Sequence, residues 1–387
     1  MTETKLPIYL DHHATTPLDK RVLDEMMPYF TEKFGNASSL DHSFGYDASV
    51  AVEDAREKIA NAIGARHDEI VFTSGATESD NIALLGTMQK YASRGNHLIT
   101  CVTEHKAILD TAKHLESLGK KVTYLPVNEF GEIDLQELED SITDDTVMIS
   151  IMAANNEIGT IADVAAIGEI AHRHDVIFHT DAAQAVGHIP IDVEKMSIDL
   201  MSFSAHKMYG PKGVGALYVR GIKPRVKPDG LFYGGGQERN IRSGTLNVPG
   251  IIGFGKAMEI SQKEMDAENK RFSEWSAMML EEFEKIGGVL NGHPTNRLTH
   301  NLNVYFPGIE GKSIINSVSK QIAISAGSAC TTQNVEPSHV LLALGLDEDT
   351  THYAIRIGIG RFNTLDEIKN SVEKICASVI ALEKIKI

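Results

Sequence analysis

The stretch Ser202-Phe-Ser-Ala-His-Lys-Met-Tyr-Gly-Pro-Lys-Gly-Val-Gly215 decides how the rest of the chain is read. Ile198 to Phe203 has β character and ends in small polar residues. His206 and Lys207 follow, and Tyr209-Gly-Pro-Lys-Gly213 behind them can only be a tight turn. Val214 to Val219 then predicts a further strand. A lysine at the mouth of a strand, among hydroxyls, an imidazole and irregular backbone, is placed for Schiff-base chemistry. Partial burial and polar neighbours lower its pKa and free the amine lone pair.

On the N-terminal side of this stretch, strand and helix patterns alternate. Strands are predicted at 69–73, 97–102, 121–125, 146–152 and 176–180, and helices at 45–63, 77–92, 107–118, 135–141 and 164–174. In the first helix Val52, Ala55, Ile59 and Ile63 recur at three or four, and Gly64 ends it. Such alternation means βαβ units and a mostly parallel sheet covered on both faces, whose ligands bind beyond the carboxyl ends of the strands. On the C-terminal side, a long helical pattern from Pro249 to about Lys285 bridges to a second unit. That unit has strands near 302–306, 322–325 and 354–359 and a closing helix from Leu365. The expected division is a large domain over 16–260 and a smaller α+β domain built from 1–15 and 261–387.

With 387 residues the chain exceeds what one core usually supports. Its net charge of −16 argues against a nucleic-acid surface or an anionic membrane. Three cysteines provide no disulfide framework, and the polar N-terminus has no signal-peptide core, so a cytoplasmic protein is expected. Asp11-His12-His13 superficially resembles a metal cluster, but neighbouring histidines point apart and no further ligand stands at a supporting spacing. Cys101, in an apolar strand, and Cys376, on the core face of the last helix, are expected to be buried and inert.

Several strand ends carry chemistry. Thr73-Ser-Gly-Ala-Thr77 joins strand to helix with a glycine that lets backbone N–H groups approach an anion, and it lacks the lysine of a nucleotide-triphosphate loop. Asp181-Ala-Ala-Gln184 sets an aspartate among alanines, where it needs a cationic partner such as a protonated pyridine nitrogen. His105 in Thr103-Glu-His-Lys106 offers a flat ring for stacking, and Asn155-Asn-Glu-Ile-Gly159 offers an amide. Gly234-Gly-Gly-Gln-Glu-Arg239 with Arg242-Ser-Gly-Thr245 suits an anion or a subunit contact. Ile324-Ser-Ala-Gly-Ser-Ala-Cys330 delivers a cysteine from a strand into a small-residue loop. Arg356, on an apolar strand, is costly to bury unless a carboxylate pairs with it. Lysine, aspartate, anion turn and arginine together point to a pyridoxal-phosphate enzyme acting on an amino acid, and the loop cysteine narrows the chemistry toward sulfur.

These motifs, in this order, resemble the cysteine desulfurases of the NifS/IscS type within the class V aminotransferases. The resemblance runs from Ala14-Thr-Thr-Pro17 through His206-Lys207 to Gly327-Ser-Ala-Cys330 and Gly360-Arg-Phe362, nearly the whole chain. It implies a homodimer with the fold type I architecture and pyridoxal 5′-phosphate as cofactor. By resemblance, Lys207 would carry the cofactor and shuttle protons, Asp181 would pair with its ring nitrogen, and His105 would stack on the ring. Gln184 and Asn156 would contact the ring oxygen or substrate. The phosphate would lie at Ala76, Thr77, Ser204 and His206, with Thr245 supplied by the other subunit. Arg356 would hold the carboxylate of L-cysteine.

Cys330, on a loop over about 325–336, would be the nucleophile that takes the sulfur as a persulfide, and L-alanine would leave. The resemblance also leaves Cys330 open as a transient iron–sulfur ligand, with no metal expected in the isolated enzyme. The expected sulfur acceptor is a protein such as an iron–sulfur scaffold or a tRNA-thiolation partner. A selenocysteine lyase, a β-lyase releasing pyruvate, and a catalytically silent sulfur-carrier subunit are the alternatives.

Overall fold

A computed structural model describes residues 7–326 and 336–385. Its centre is a seven-stranded sheet in the order Ile70–Thr73, Gly215–Val219, Leu200–Ser204, Ile177–Asp181, Thr146–Ser150, His97–Cys101, Lys121–Leu125. Gly215–Val219 runs antiparallel to both neighbours, and the other adjacent pairs are parallel. The α/β architecture read from the sequence is therefore present.

Side chains alternate between the two faces of each strand. Ile70 and Phe72 enter one core with Phe178, Phe203 and Ile59, while Val71 enters the opposite one with Leu98, Leu200 and Leu217. Every strand but the edge Lys121–Leu125 is buried along its whole length, as a sheet sandwiched between helices requires.

A separate apolar core is formed by Leu10, Phe272, Met279, Phe283, Leu302, Val304, Ile355, Ile357, Ile368 and Ile375. Its antiparallel sheet has the order Ala354–Gly358, Asn301–Tyr305, Val289–Leu290, and Ile8–Tyr9 pairs in parallel with Ile322–Ala323. The helix Val248–Glu284 joins the core of Ile59, Phe178 and Phe203 to this separate one. Val248, Ile252 and Phe254 pack into the first, and Phe272, Met279 and Phe283 into the second. Asn247 caps its start by accepting from Gly250 N, with a proline in the first turn where no intrahelical N–H is needed.

Three local expectations change. The helix expected over 77–92 is interrupted, because Ala76–Asn81 passes through a wide π turn at Ile82–Gly86 before Thr87–Lys90. There the crossing chain presses in: Asp229 N donates to Gly86 O, and a Cβ on Gly86 would stand 2.3 Å from Asp229 O. The strand expected over 176–180 runs Ile177–Asp181, so Asp181 is the last strand residue rather than the first loop residue. Cys376 is half-buried at the edge of the second core, not enclosed in it, because the outer flank of helix Leu365–Glu383 stays open.

Candidate active site

The carboxyl ends of the central strands open into one cavity of about 800 Å³. It is lined by Ala76, Thr77, His105, Asn156, Asp181, Gln184, Ser204, His206, Lys207 and Arg356, the sequence-predicted residues that converge here. Thr245 is exposed and does not line this cavity. Cys330 lies outside the described residues.

Lys207 ends the single turn Ala205–Lys207 that follows strand Leu200–Ser204. Its Nζ donates to His13 O at 2.5 Å and to Ala14 O at 3.1 Å, so the N-terminal segment holds the amine. Its own carbonyl accepts from His188 Nε2 at 2.9 Å. Tyr209, just beyond, adopts a left-handed φ of 64°, the backbone requirement behind the tight turn.

Asp181 is buried at its strand end, where Oδ1 accepts from Ala183 N at 2.9 Å. Burial raises its proton affinity, opposed by that N–H and by His105 and Lys207. Behind it sit two further buried acids. Glu104 accepts from Met152 N at 2.7 Å through Oε1, and its Oε2 has no hydrogen bond among the described residues. Neither carboxyl oxygen of Asp80 makes a hydrogen bond of good geometry among those residues. Burial drives both acids well above the usual carboxylate range, reinforced in each by Asp181.

His105 caps helix Lys106–Ser117 by accepting from Ala107 N at Nδ1, which places its ring proton on Nε2. Burial keeps that imidazole neutral. His206 bonds to Thr15 Oγ1 through Nδ1 and is pushed down to about 4 by burial, then by Lys207 and Lys212. Gly75, at φ 157°, opens the helix at Ala76, and a Cβ on Gly215 would stand 2.6 Å from Gly75 Cα. The strand–helix turn thus lies flat on its neighbour strand; Ser74 N and Gly75 N donate to Glu78 Oε2 and Thr73 Oγ1, and the first helical residues, Ala76 and Thr77, line the cavity end.

Arg356 is almost fully buried, and the carboxylate it requires is Asp11, 2.9 Å from Nη2. Nη1 donates to Asn156 O, and the buried Nε–H has no partner among the described residues. Gln184 is committed to His13 at both ends: Oε1 faces His13 Nδ1 and Nε2 donates to His13 O, each at 3.1 Å.

Asp80, Glu157 and His339 also line the cavity, though the sequence reading gave them no role. Asp80 sits on a helical turn whose inward face only the π turn and sheet packing define. Glu157 accepts from Ser338 Oγ at 2.6 Å and His339 Nε2 meets Glu104 O at 3.0 Å, joins across more than 180 residues that no local pattern signals.

Residues 8–370 match the family model described as aminotransferase class-V. Curated relatives named cysteine desulfurase IscS include that of Rickettsia bellii, 52% identical over 97% of this chain and 91% of its own length. Another, from Neisseria meningitidis, is 50% identical over 98% and 94%. The chain belongs to the class V aminotransferases, among the cysteine desulfurases.

Solved structures agree. One titled NIFS-LIKE PROTEIN superposes with a TM-score of 0.91 at 39% identity, covering 97% of this chain and all of that one. A structure titled SspA in complex with cysteine gives 0.82 at 39% identity over 92% of this chain. Class V aminotransferases of this kind are pyridoxal-phosphate enzymes, and this chain is one. Its own residues fit that cofactor. Asp181 is a buried acid that needs a cation, Ala76 and Thr77 bring the first turn of a helix to the same cavity, where its N–H groups suit an anion, and Lys207 lines that cavity too.

Proposed function

We propose that this desulfurase converts L-cysteine to L-alanine and passes the sulfur to Cys330 as a persulfide. What carries the reading is the gathering of Lys207, Asp181 and Arg356 around one cavity of about 800 Å³ in a chain half identical to named cysteine desulfurases. Pyridoxal phosphate would be held by Lys207 through its amine, by Asp181 at the ring nitrogen, and by His105 against the ring face. Ala76, Thr77, Ser204 and His206 would receive its phosphate, with Thr245 from a second subunit. The bound cofactor supplies an electron sink for charge at the substrate Cα.

Each remaining task falls to the chain. Arg356, held in place by Asp11, lines the cavity and would receive the substrate carboxylate. Asn156 and Gln184 bound the same side, and Gln184 acts mainly by fixing His13. Lys207 Nζ takes the Cα proton and returns a proton as alanine forms. His105, neutral with its proton on Nε2, lines the cavity and is the proton donor there. The Cys330 thiolate attacks the substrate sulfur: an S–S bond forms, the Cβ–S bond breaks, and Cβ keeps the electron pair and gains a proton.

We further read the enzyme as a cytoplasmic homodimer that gives its sulfur to a protein acceptor such as an iron–sulfur scaffold or a tRNA-thiolation partner. Support for the dimer comes from Met27, Phe30, Phe34, Leu40, Phe44 and Tyr46, all exposed on one short stretch. No helix among the described residues is long and apolar enough to cross a membrane. The two apolar cores favour a large domain over 16–260 and a small one from 1–15 and 261–387.

The test is alanine formation from L-cysteine by wild type, Lys207→Ala and Cys330→Ala, with the visible absorbance of the bound cofactor recorded for each. The reading expects colour and alanine in wild type, altered colour in Lys207→Ala, and colour without turnover in Cys330→Ala. Full turnover by Cys330→Ala, or pyruvate in place of alanine, would establish a lyase instead.

A further inference from the structure

On the junction side of Lys207, away from the acids, three buried imidazoles stack. The ring centroids of His13 and His300 are 4.7 Å apart at 23°, and those of His300 and His188 are 4.3 Å apart at 29°. Phe272, on the helix that joins the two cores, closes the far side at 6.0 Å. The three histidines come from the N-terminal segment, the loop after Asp181, and the residue just before strand Asn301–Tyr305.

Both outer rings belong to residues that hold Lys207. The His13 carbonyl accepts the Lys207 amine, and His188 Nε2–H donates to the Lys207 carbonyl. The middle ring, His300, touches neither. Its backbone belongs to the second core, since His300 O accepts from Ile359 N, and it also faces His13 Nε2 at 3.3 Å. Asn269 repeats the link, donating to His188 O and accepting from Thr299 Oγ1, each at 2.7 Å. Aromatic stacking of this kind is sensitive to ring position and fixes one arrangement of the parts that carry the rings.

We propose that His300 is a positioning residue: clamped between His13 and His188, it sets where the Lys207 amine sits and ties that position to the packing of the second core. The inference rests on Lys207 being the cofactor lysine, and it goes beyond that reading by assigning a role to a residue that lines no part of the cavity. The stack works only when unprotonated, because stacked imidazolium rings in a dry site repel. Burial, first, lowers all three rings; at His13 it is reinforced by Arg356 and then His188, against Gln184 and the His300 carbonyl, and at His300 by His188 and His13. Lys207, Arg361 and the opposing Glu268 face His188, and His12 faces His300.

The test uses the cofactor-loaded enzyme. In wild type, His300→Ala, His300→Phe and His188→Phe, one records the pH midpoint of the visible absorbance change, with kcat and KM for L-cysteine. His300→Ala is expected to shift the midpoint by about 0.5 pH unit and to lower kcat by roughly tenfold at nearly constant KM, the cost of a slightly misplaced reacting group. His300→Phe, which keeps a flat ring, is expected to restore most of both. His188→Phe keeps the stack but loses the N–H to the Lys207 carbonyl, and is expected to shift the midpoint too. A His300→Ala enzyme with an unmoved midpoint and kcat but a lower unfolding temperature would overturn the proposal. If that variant does not fold, an unmoved midpoint in His188→Phe would overturn it. Lys207→Ala runs beside them: if it retains the wild-type spectrum, the cofactor-lysine reading fails, separately from any result at His300.

Discussion

The two walls beside Lys207 solve the same electrostatic problem from opposite sides. Toward the sheet lie Asp80, Glu104 and Asp181, three acids in a dry site. Toward the junction lie His12, His13, His188 and His300, four bases equally dry. Desolvation disfavours whichever form is charged, so it makes the acids keep protons and the bases refuse them. Burial is the leading cause on both sides, raising all three acids and lowering all four imidazoles, His12 to about 4. Within the acid wall one ring follows the basic rule: His179, between Ser150 Oγ and Ser202 Oγ, is pushed down to about 3. Two walls that both shed charge leave Arg356, and whichever buried acid finds a cation, without a competing charge from these seven groups. Asp181 is the acid best placed to find one, because it alone ends a strand at the cavity.

Removing that acid is the harshest way to break the contrast. Asp181→Ala is expected to lower the rate of alanine formation by about 10²–10³-fold, the range for deleting one preorganised electrostatic group. Asp181→Asn should lose nearly as much, since the amide keeps the shape but not the charge. Steady-state assays on the cofactor-saturated variants decide it. A loss under tenfold for both would mean that the acid wall contributes packing and little else.

Stability against pH separates the walls more gently, because their linkages have opposite signs. Imidazoles with folded pKa values below 6.5 bind protons more readily in the unfolded chain, so their contribution is lost as pH falls below about 6.5. Acids raised above their ordinary value behave inversely: the unfolded chain has released the proton while the folded one still holds it, so stability is lost as pH rises above 4.5 toward the folded pKa of Glu104. Glu104→Gln keeps an acceptor for Met152 N without an ionisable proton. Its advantage over wild type should be absent near pH 4.5 and grow with pH to the order of 1 kcal/mol. Denaturant unfolding at several pH values measures it. A variant that is uniformly less stable would mean that Glu104 is ionised in the fold and compensated.

The acid wall was half legible in the sequence, and the basic wall hardly at all. Asp181 and Lys207 announce themselves because each terminates a strand pattern in a run of small or turn-forming residues. The alternation of strand and helix places such ends on one side of the sheet. His13 was visible only as part of Asp11-His12-His13, where nothing distinguished a structural ring from a ligand. In the fold the two neighbours do part, His12 toward Gly358 O and His13 toward Gln184 and His300. His188 and His300 belong to no motif. They meet only because the long helix fixes one core against the other, and tertiary placement of that kind leaves no local trace. Arg356 shows the middle case: the sequence required a carboxylate partner but could not name Asp11, 345 residues away.

Cys101 offers the smallest and most selective perturbation, because it lies directly behind the acid wall. Its thiol is almost fully buried, 3.2 Å from Thr103 Oγ1, and burial reinforced by Glu104 pushes it up to about 11. A thiol this reluctant to ionise, and this little exposed, should resist alkylation at pH 8 in the folded enzyme. Cys376, half-buried and raised by burial and then Glu282, should react slowly, and faster than Cys101. Peptide mapping after timed alkylation ranks the sites. Cys101→Ala should leave alanine formation unchanged and destabilise the fold by about 1 kcal/mol, the cost of one lost buried sulfur and a small void. Labelling of Cys101 at a rate matching Cys376 would require the acid wall to open to water. The neutrality argued for Glu104 and Asp80 would then fail with it, since both depend on the same dry interior.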